Sequence, residues 1–189
     1  MLHDCDCCHA LKFGTHEEKR AALRTAIGRY GIARNLPLSG DDKKGIPRLK
    51  PLLDVIETVK HSDFRPDPVP AIREVSAAIS KRYGGRGKLS MTTKVLWLAL
   101  KRPIIIYDSQ ARMALGTRAG DLEGFYTEWR KAFQTHAARI ARECEKLEKM
   151  GVYSVEDRRA TPKYIHKVAT TRWFHERVFD FYLWNKGNG

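Results

Sequence analysis

The sequence has no apolar run near the ~20 residues that span a bilayer. Its first residues are polar and lack the apolar core of a secretory signal. These absences predict a cytoplasmic protein with no membrane partner. There is no internal repeat and no low-complexity tract, which excludes solenoids and disordered tails as readings of the whole chain. Alternating strand patterns are also scarce, so strands could be absent altogether. Acid is scarce in one place above all: between Ser80 and Arg118 the only acid is Asp108.

What is there is base. Lys and Arg number 35 against 22 Asp and Glu, a formal net charge of +13. Such an excess favours a polyanionic partner, because neutralising phosphates releases condensed counterions. The stretch around Asp108 carries Lys81, Arg82, Arg86, Lys88, Lys94, Lys101, Arg102, Arg112 and Arg118. A solvated helix face mixes signs, as Arg139, Arg142, Glu143, Glu145, Lys146 and Glu148 do. A one-sided stretch reads as a phosphate-facing surface, and a lone acid inside it needs a reason to be there. His3, Cys5, Cys7, Cys8 and His9 are metal-capable, yet no second pair follows nearby and adjacent Cys7 and Cys8 are awkward for one tetrahedral ion. Reduced thiols, with neither metal nor cofactor, are the expectation.

Apolar spacing predicts an all-α chain. Residues 1–15 read as irregular. Thr15 with Glu18 forms a capping box opening a helix to about Arg34. After a polar loop over Asn35–Gly45, a second helix covers about 47–61. Pro66, Pro68 and Pro70 make a linker, and Pro70 opens a helix to about 83. The hinge GGRGK leads to Ser90 as cap of a helix over 91–101, ended by Pro103. Ile104–Tyr107 is extended, and Asp108 caps a helix over 109–115 that stops at Gly116. Asp121 caps a long helix to about 149, and helices over 163–170 and 171–185 close the chain.

Lys94 and Asp108 can meet. From Lys94 to Arg102 a helix climbs about 12 Å, and the extended run from Pro103 to Tyr107 returns about 16 Å. Folded back, it brings Asp108 to the level of Lys94. A lysine near a helix start, among Arg86, Lys88 and Arg112, is favoured as the neutral amine, a nucleophile. A nearby carboxylate can position it, move a proton or stabilise a cation. The residues also admit a plainer account, with Asp108 only an N-cap and Lys94 only a phosphate contact.

The segment KLSMTTKVLWLALKRPIIIYDSQARMALG resembles the active-site segment of the helix-hairpin-helix DNA glycosylases, in particular the 8-oxoguanine DNA glycosylase-like branch. RVFDFYLWNKG resembles the C-terminal helix of its bacterial members. The resemblance covers 83–116 and about the last 15 residues. The family's Pro-Gly-x-Gly hairpin is replaced by Leu89–Thr93, with glycines at Gly84, Gly85 and Gly87. The resemblance implies a two-lobed helical bundle over 1–189, a single domain with a helix-hairpin-helix-like motif and a cleft between lobes. It implies Lys94 as Schiff-base nucleophile and Asp108 as catalytic carboxylate. The substrate is a damaged purine such as 8-oxoguanine, flipped from double-stranded DNA and excised with lyase chemistry. Phe181 and Trp184 are the candidates for stacking on the base and Asp180 for its edge, although most aromatics of such a helix are core. Arg86, Lys88, Ser90, Thr92, Thr93 and Arg112 are the candidate phosphate contacts. The alternatives are a catalytically silent DNA-binding module, or the same chemistry on RNA or a free nucleotide, in repair or in bacterial defence.

Overall fold

The computed structural model describes residues 2–32, 36, 49–85, 88–150 and 161–189. Among them every regular element is a helix and no strand occurs, so the all-α expectation holds. The chain divides into two compact units, Met1–Tyr107 and Asp108–Gly189. The boundary falls inside the segment 83–116, so Lys94 belongs to the first unit and Asp108 to the second.

The first unit opens with α1, Leu2–Phe13, where an irregular segment was expected. Weak helix formers are overridden here by packing. Asp4, Cys7 and Leu11, spaced three and four apart, form the buried face, which lies on α2 (His16–Arg29) and on α5 (Leu89–Leu100). The capping box of Thr15 and Glu18 is present. The α2 helix ends at Arg29, with Tyr30 as C-cap and Gly31 at φ 64°, and does not run on to Arg34. The next helix, α3, spans Lys50–Thr58, shorter than expected. A 3-10 turn at His61–Phe64 buries Phe64 and leads to α4, Pro68–Arg82. Asp67 caps α4 by accepting from the Val69 N–H (3.1 Å), so it is Pro68 and not Pro70 that opens it. Lys88, rather than Ser90, is the N-cap of α5. Met91, Val95, Leu96, Trp97, Leu98 and Ala99 are all buried. Being apolar nearly all round, α5 is the hub against which α1, α3 and α4 pack. Each fully buried aliphatic side chain contributes about 1.5–3 kcal/mol relative to exposure.

The second unit comprises α6 (Ser109–Ala114), α7 (Leu122–Glu145), α8 (Leu147–Met150), α9 (Pro162–Ala169) and α10 (Arg172–Asn188). Asp108, Asp121 and Thr161 cap α6, α7 and α9 through side-chain oxygens, as their residue types predict. The expected single helix to 149 breaks at Lys146. Its core is aromatic. Trp129 and Phe133 stack (centroids 5.1 Å), and Phe179 meets both edge-on at 5.2 and 5.4 Å. Helices α6 and α10 approach closely: a Cβ at Gly187 would collide with the Gln110 carbonyl. No described helix is long and apolar enough to cross a membrane.

Candidate active site

Lys94 sits in the second turn of α5, half-buried, and its Nζ donates to the Tyr30 carbonyl (3.4 Å). The helix starts two residues earlier than expected. Lys94 is therefore not at the helix start, and the dipole effect, confined to the first turn, no longer acts on it.

Beyond Pro103 the extended run Ile104–Tyr107 is buried throughout. It folds back along α5, and the Tyr107 N–H donates to Thr93 Oγ1 (3.0 Å). Thr93 itself donates to the Ser90 carbonyl (3.1 Å), and Thr92 to the Lys88 carbonyl (2.9 Å). Both threonines are fully buried. This corrects their expected role. Their hydroxyls are not available to phosphate; Thr93 instead pins the returning extended run to α5. The signal for this was the return itself, which needs a buried acceptor for an extended segment with no neighbour to pair with.

Among the other expected phosphate contacts, Ser90 and Lys88 are half-exposed on the first turn of α5 and at its cap. Arg112 is half-buried and donates to the Thr117 carbonyl (2.7 Å), closing the loop after α6. Arg86, with Gly87, lies outside the described residues, as do residues 33–35, 37–48 and 151–160.

Asp108 is half-buried, and its Oδ1 accepts from the Gln110 N–H (3.0 Å). On α10, Phe181 and Trp184 stack on each other (centroids 6.1 Å, interplanar 16°) and are 58% and 43% exposed. Tyr182 is exposed beside them, whereas Phe174 and Phe179 are core. Asp180 does not share that outer face. It is buried, and Trp129 Nε1–H donates to its Oδ1 (2.8 Å). Its expected contact with a base edge is thus corrected: one position separates Asp180 from Phe181, and about 100° of helix turn carries it inward. Burial pushes the Asp180 carboxyl up to about 7, opposed by Arg177 and the Trp129 bond and reinforced by Glu176 and Asp108.

Lys101, one of the bases in the stretch expected to face phosphate, is instead engaged within the first unit. This C-cap of α5 has φ 59°, a conformation unusual for a side-chain-bearing residue. Its Nζ lies 3.9 Å from the Trp97 ring centroid and donates to the Asp4 carbonyl (3.0 Å). Burial lowers its proton affinity, while Cys8 and Asp4 oppose the shift. Cys7 is buried against the Ala22 carbonyl (3.7 Å), and burial pushes its thiol up to about 11, so it is a poor nucleophile. Among the described residues no three His, Cys, Asp or Glu side chains converge as metal ligands.

Compared with protein-family models, with curated proteins and with solved structures, the chain matches none.

Proposed function

We propose that this is a cytoplasmic DNA glycosylase with lyase activity, using Lys94 and Asp108 on a flipped purine such as 8-oxoguanine. The observation that carries the reading is the Tyr107 to Thr93 bond. It joins the residue before Asp108 to the residue before Lys94, the return that the chemistry requires. In the reaction, the Lys94 amine attacks C1′ and the C1′–N bond breaks, its electron pair leaving with the base. Asp108 stabilises the oxocarbenium-like sugar and takes the ammonium proton. Asp108 returns that proton to the ring oxygen as the C1′–O4′ bond breaks, giving the protonated Schiff base, and loss of a C2′ proton then expels the 3′ phosphate with the C3′–O electron pair. The exposed Phe181–Trp184 stack offers a π-surface to an unstacked base. The bias of +13 toward base supplies the attraction to DNA. The helix-hairpin-helix motif and the cleft between lobes belong to the same proposal.

A second reading is favoured by one fact: Lys94 and Asp108 both have structural bonds, to Tyr30 and to Gln110. On that reading the chain binds DNA without chemistry. Borohydride trapping on duplexes carrying 8-oxoguanine or an abasic site separates the two. The enzyme gives a covalent adduct that Lys94→Gln abolishes, and Asp108→Asn keeps binding while turnover drops by about 10²-fold or more. Tight binding with no adduct on any substrate supports the module.

A further inference from the structure

Within the first unit, α1 and α2 are held together where the Cys7 thiol meets the Ala22 carbonyl. Elsewhere between them the facing residues are small, Ala10, Ala22 and Ala26 among them, and they leave a cavity of about 350 Å³. That volume is at the lower end of small-molecule sites, which run roughly 300–1,000 Å³. Leu98 and the Tyr30 ring add apolar wall.

The charge of the lining runs against the rest of the molecule. On a chain of net +13, the lining includes Asp4, Asp6 and Glu18, the last held in the Thr15 capping box, against Arg29 and His3. A phosphate or nucleotide is therefore the wrong occupant. A protonated amine fits, because it can make charge-assisted hydrogen bonds to the carboxylates while an apolar body rests on the alanines.

Tyr30 links this cavity to Lys94. Its hydroxyl donates to Asp4 Oδ1 (2.7 Å). Its carbonyl accepts from Lys94 Nζ (3.4 Å). An amine that engages Asp4 competes with the tyrosine hydroxyl, and a shift of Tyr30 moves the carbonyl that holds the lysine.

We propose that the cavity between α1 and α2 binds a small protonated amine with an apolar body, and that occupancy is relayed through Tyr30 to Lys94. That the relay regulates catalysis rests on the glycosylase reading; the site and the relay themselves do not.

The test uses the full chain and N,N-dimethylphenethylamine, with the neutral N,N-dimethyl-2-phenylacetamide as its uncharged counterpart. Calorimetry is expected to show the amine binding at least tenfold more tightly than the amide. Asp4→Asn is expected to cut that preference below threefold. Should Asp4→Asn fail to fold, the exposed Asp6→Asn is expected to narrow it as well. Equal binding of the two compounds, or a preference untouched by either substitution, overturns the site. For the relay, Lys94 is reductively methylated with formaldehyde and cyanoborohydride and followed by peptide mass spectrometry. Saturating amine is expected to raise its labelling rate at least threefold, and Tyr30→Phe to abolish that rise while retaining binding. An unchanged rate with the site saturated overturns the relay. Neither readout involves DNA, so a protein that forms no adduct with any oligonucleotide loses the glycosylase reading alone.

Discussion

Each unit buries an aspartate, and the two are handled differently. In the first, Asp4 accepts the Tyr30 hydroxyl, and the Lys101 ammonium sits on its backbone carbonyl. In the second, Asp180 has the neutral Trp129 indole N–H as its hydrogen-bond partner, inside an aromatic core. A buried carboxylate without an ammonium bound beside it relieves the cost of its charge by holding a proton. That is why Asp180 titrates near 7. In the first unit the group that burial shifts is a cation, and Lys101 gives up its proton more readily. The same problem, ionisable groups in low dielectric, is met with opposite signs, so the two units are expected to respond to pH in opposite directions.

The largest effect should come from Asp180→Asn, which keeps an oxygen for the indole N–H and removes the titration. The native carboxyl holds a proton between about pH 4 and pH 7 that the unfolded chain has lost. Stability of the second unit therefore falls as pH rises through that window and levels off above it. A shift from 3.8 to about 7 corresponds to roughly 4 kcal/mol. The variant should match the parent near pH 4 and exceed it by up to about that amount at pH 8. Denaturant unfolding across this range checks it, and parallel curves for the two proteins would remove Asp180 from the account.

Next in size is Gly187→Ala. A methyl group there meets the Gln110 backbone, which cannot swing aside as a flexible side chain would. The expected loss is about 2 kcal/mol, seen as faster amide exchange in α6 and α10 and unchanged exchange in α2–α5. A loss spread evenly over both units would mean that they do not unfold separately.

How much of this was legible depended on how local the cause was. Thr15, Asp108 and Asp121 announce their helix starts because a cap involves only a few adjacent residues. The aromatic core of α10 could be anticipated as a helix face, but the outward turn of Phe181 and Trp184 and the inward turn of Asp180 could not be told apart. Periodicity gives the spacing of a face and not which partner covers it. The α1 helix was missed because its stability comes from burial against α2 and α5, contacts made with residues far along the chain. Lys94 and Asp108 stand as candidates on residue type, spacing and the glycosylase resemblance. The bonds of Lys94 to Tyr30 and of Tyr107 to Thr93 join residues 64 and 14 positions apart and belong to tertiary structure.

Thr93→Val sharpens the contrast from the side of the first unit. Valine keeps the shape and leaves the buried Tyr107 N–H without its acceptor. The expected cost is about 1–3 kcal/mol, with Thr93→Ser near the parent. Because this bond holds the return from α5, adduct formation should fall with Thr93→Val and recover with Thr93→Ser. An adduct rate indifferent to both would detach the staple from the chemistry.

The smallest effect, and the one that bears most directly on the opposite pH responses, is at Lys101. Its proton affinity is lowered on folding, so over a window below pH 10.5 the unfolded chain binds the proton and the folded chain does not. Stability of the first unit should therefore rise with pH in that window. The buried Cys7 thiol works against this rise, since between about pH 9 and about 11 it keeps a proton that an unfolded cysteine loses. Lys101→Met preserves the aliphatic stem over Trp97 and removes the ammonium. It should remove the Lys101 contribution to the rise and leave the opposing fall from Cys7, as read from amide exchange in α1 and α5. A first unit whose stability declines steadily from pH 6 upward, in parent and variant alike, would show that both units answer to a shared titration and that the contrast between Lys101 and Asp180 is not what sets it.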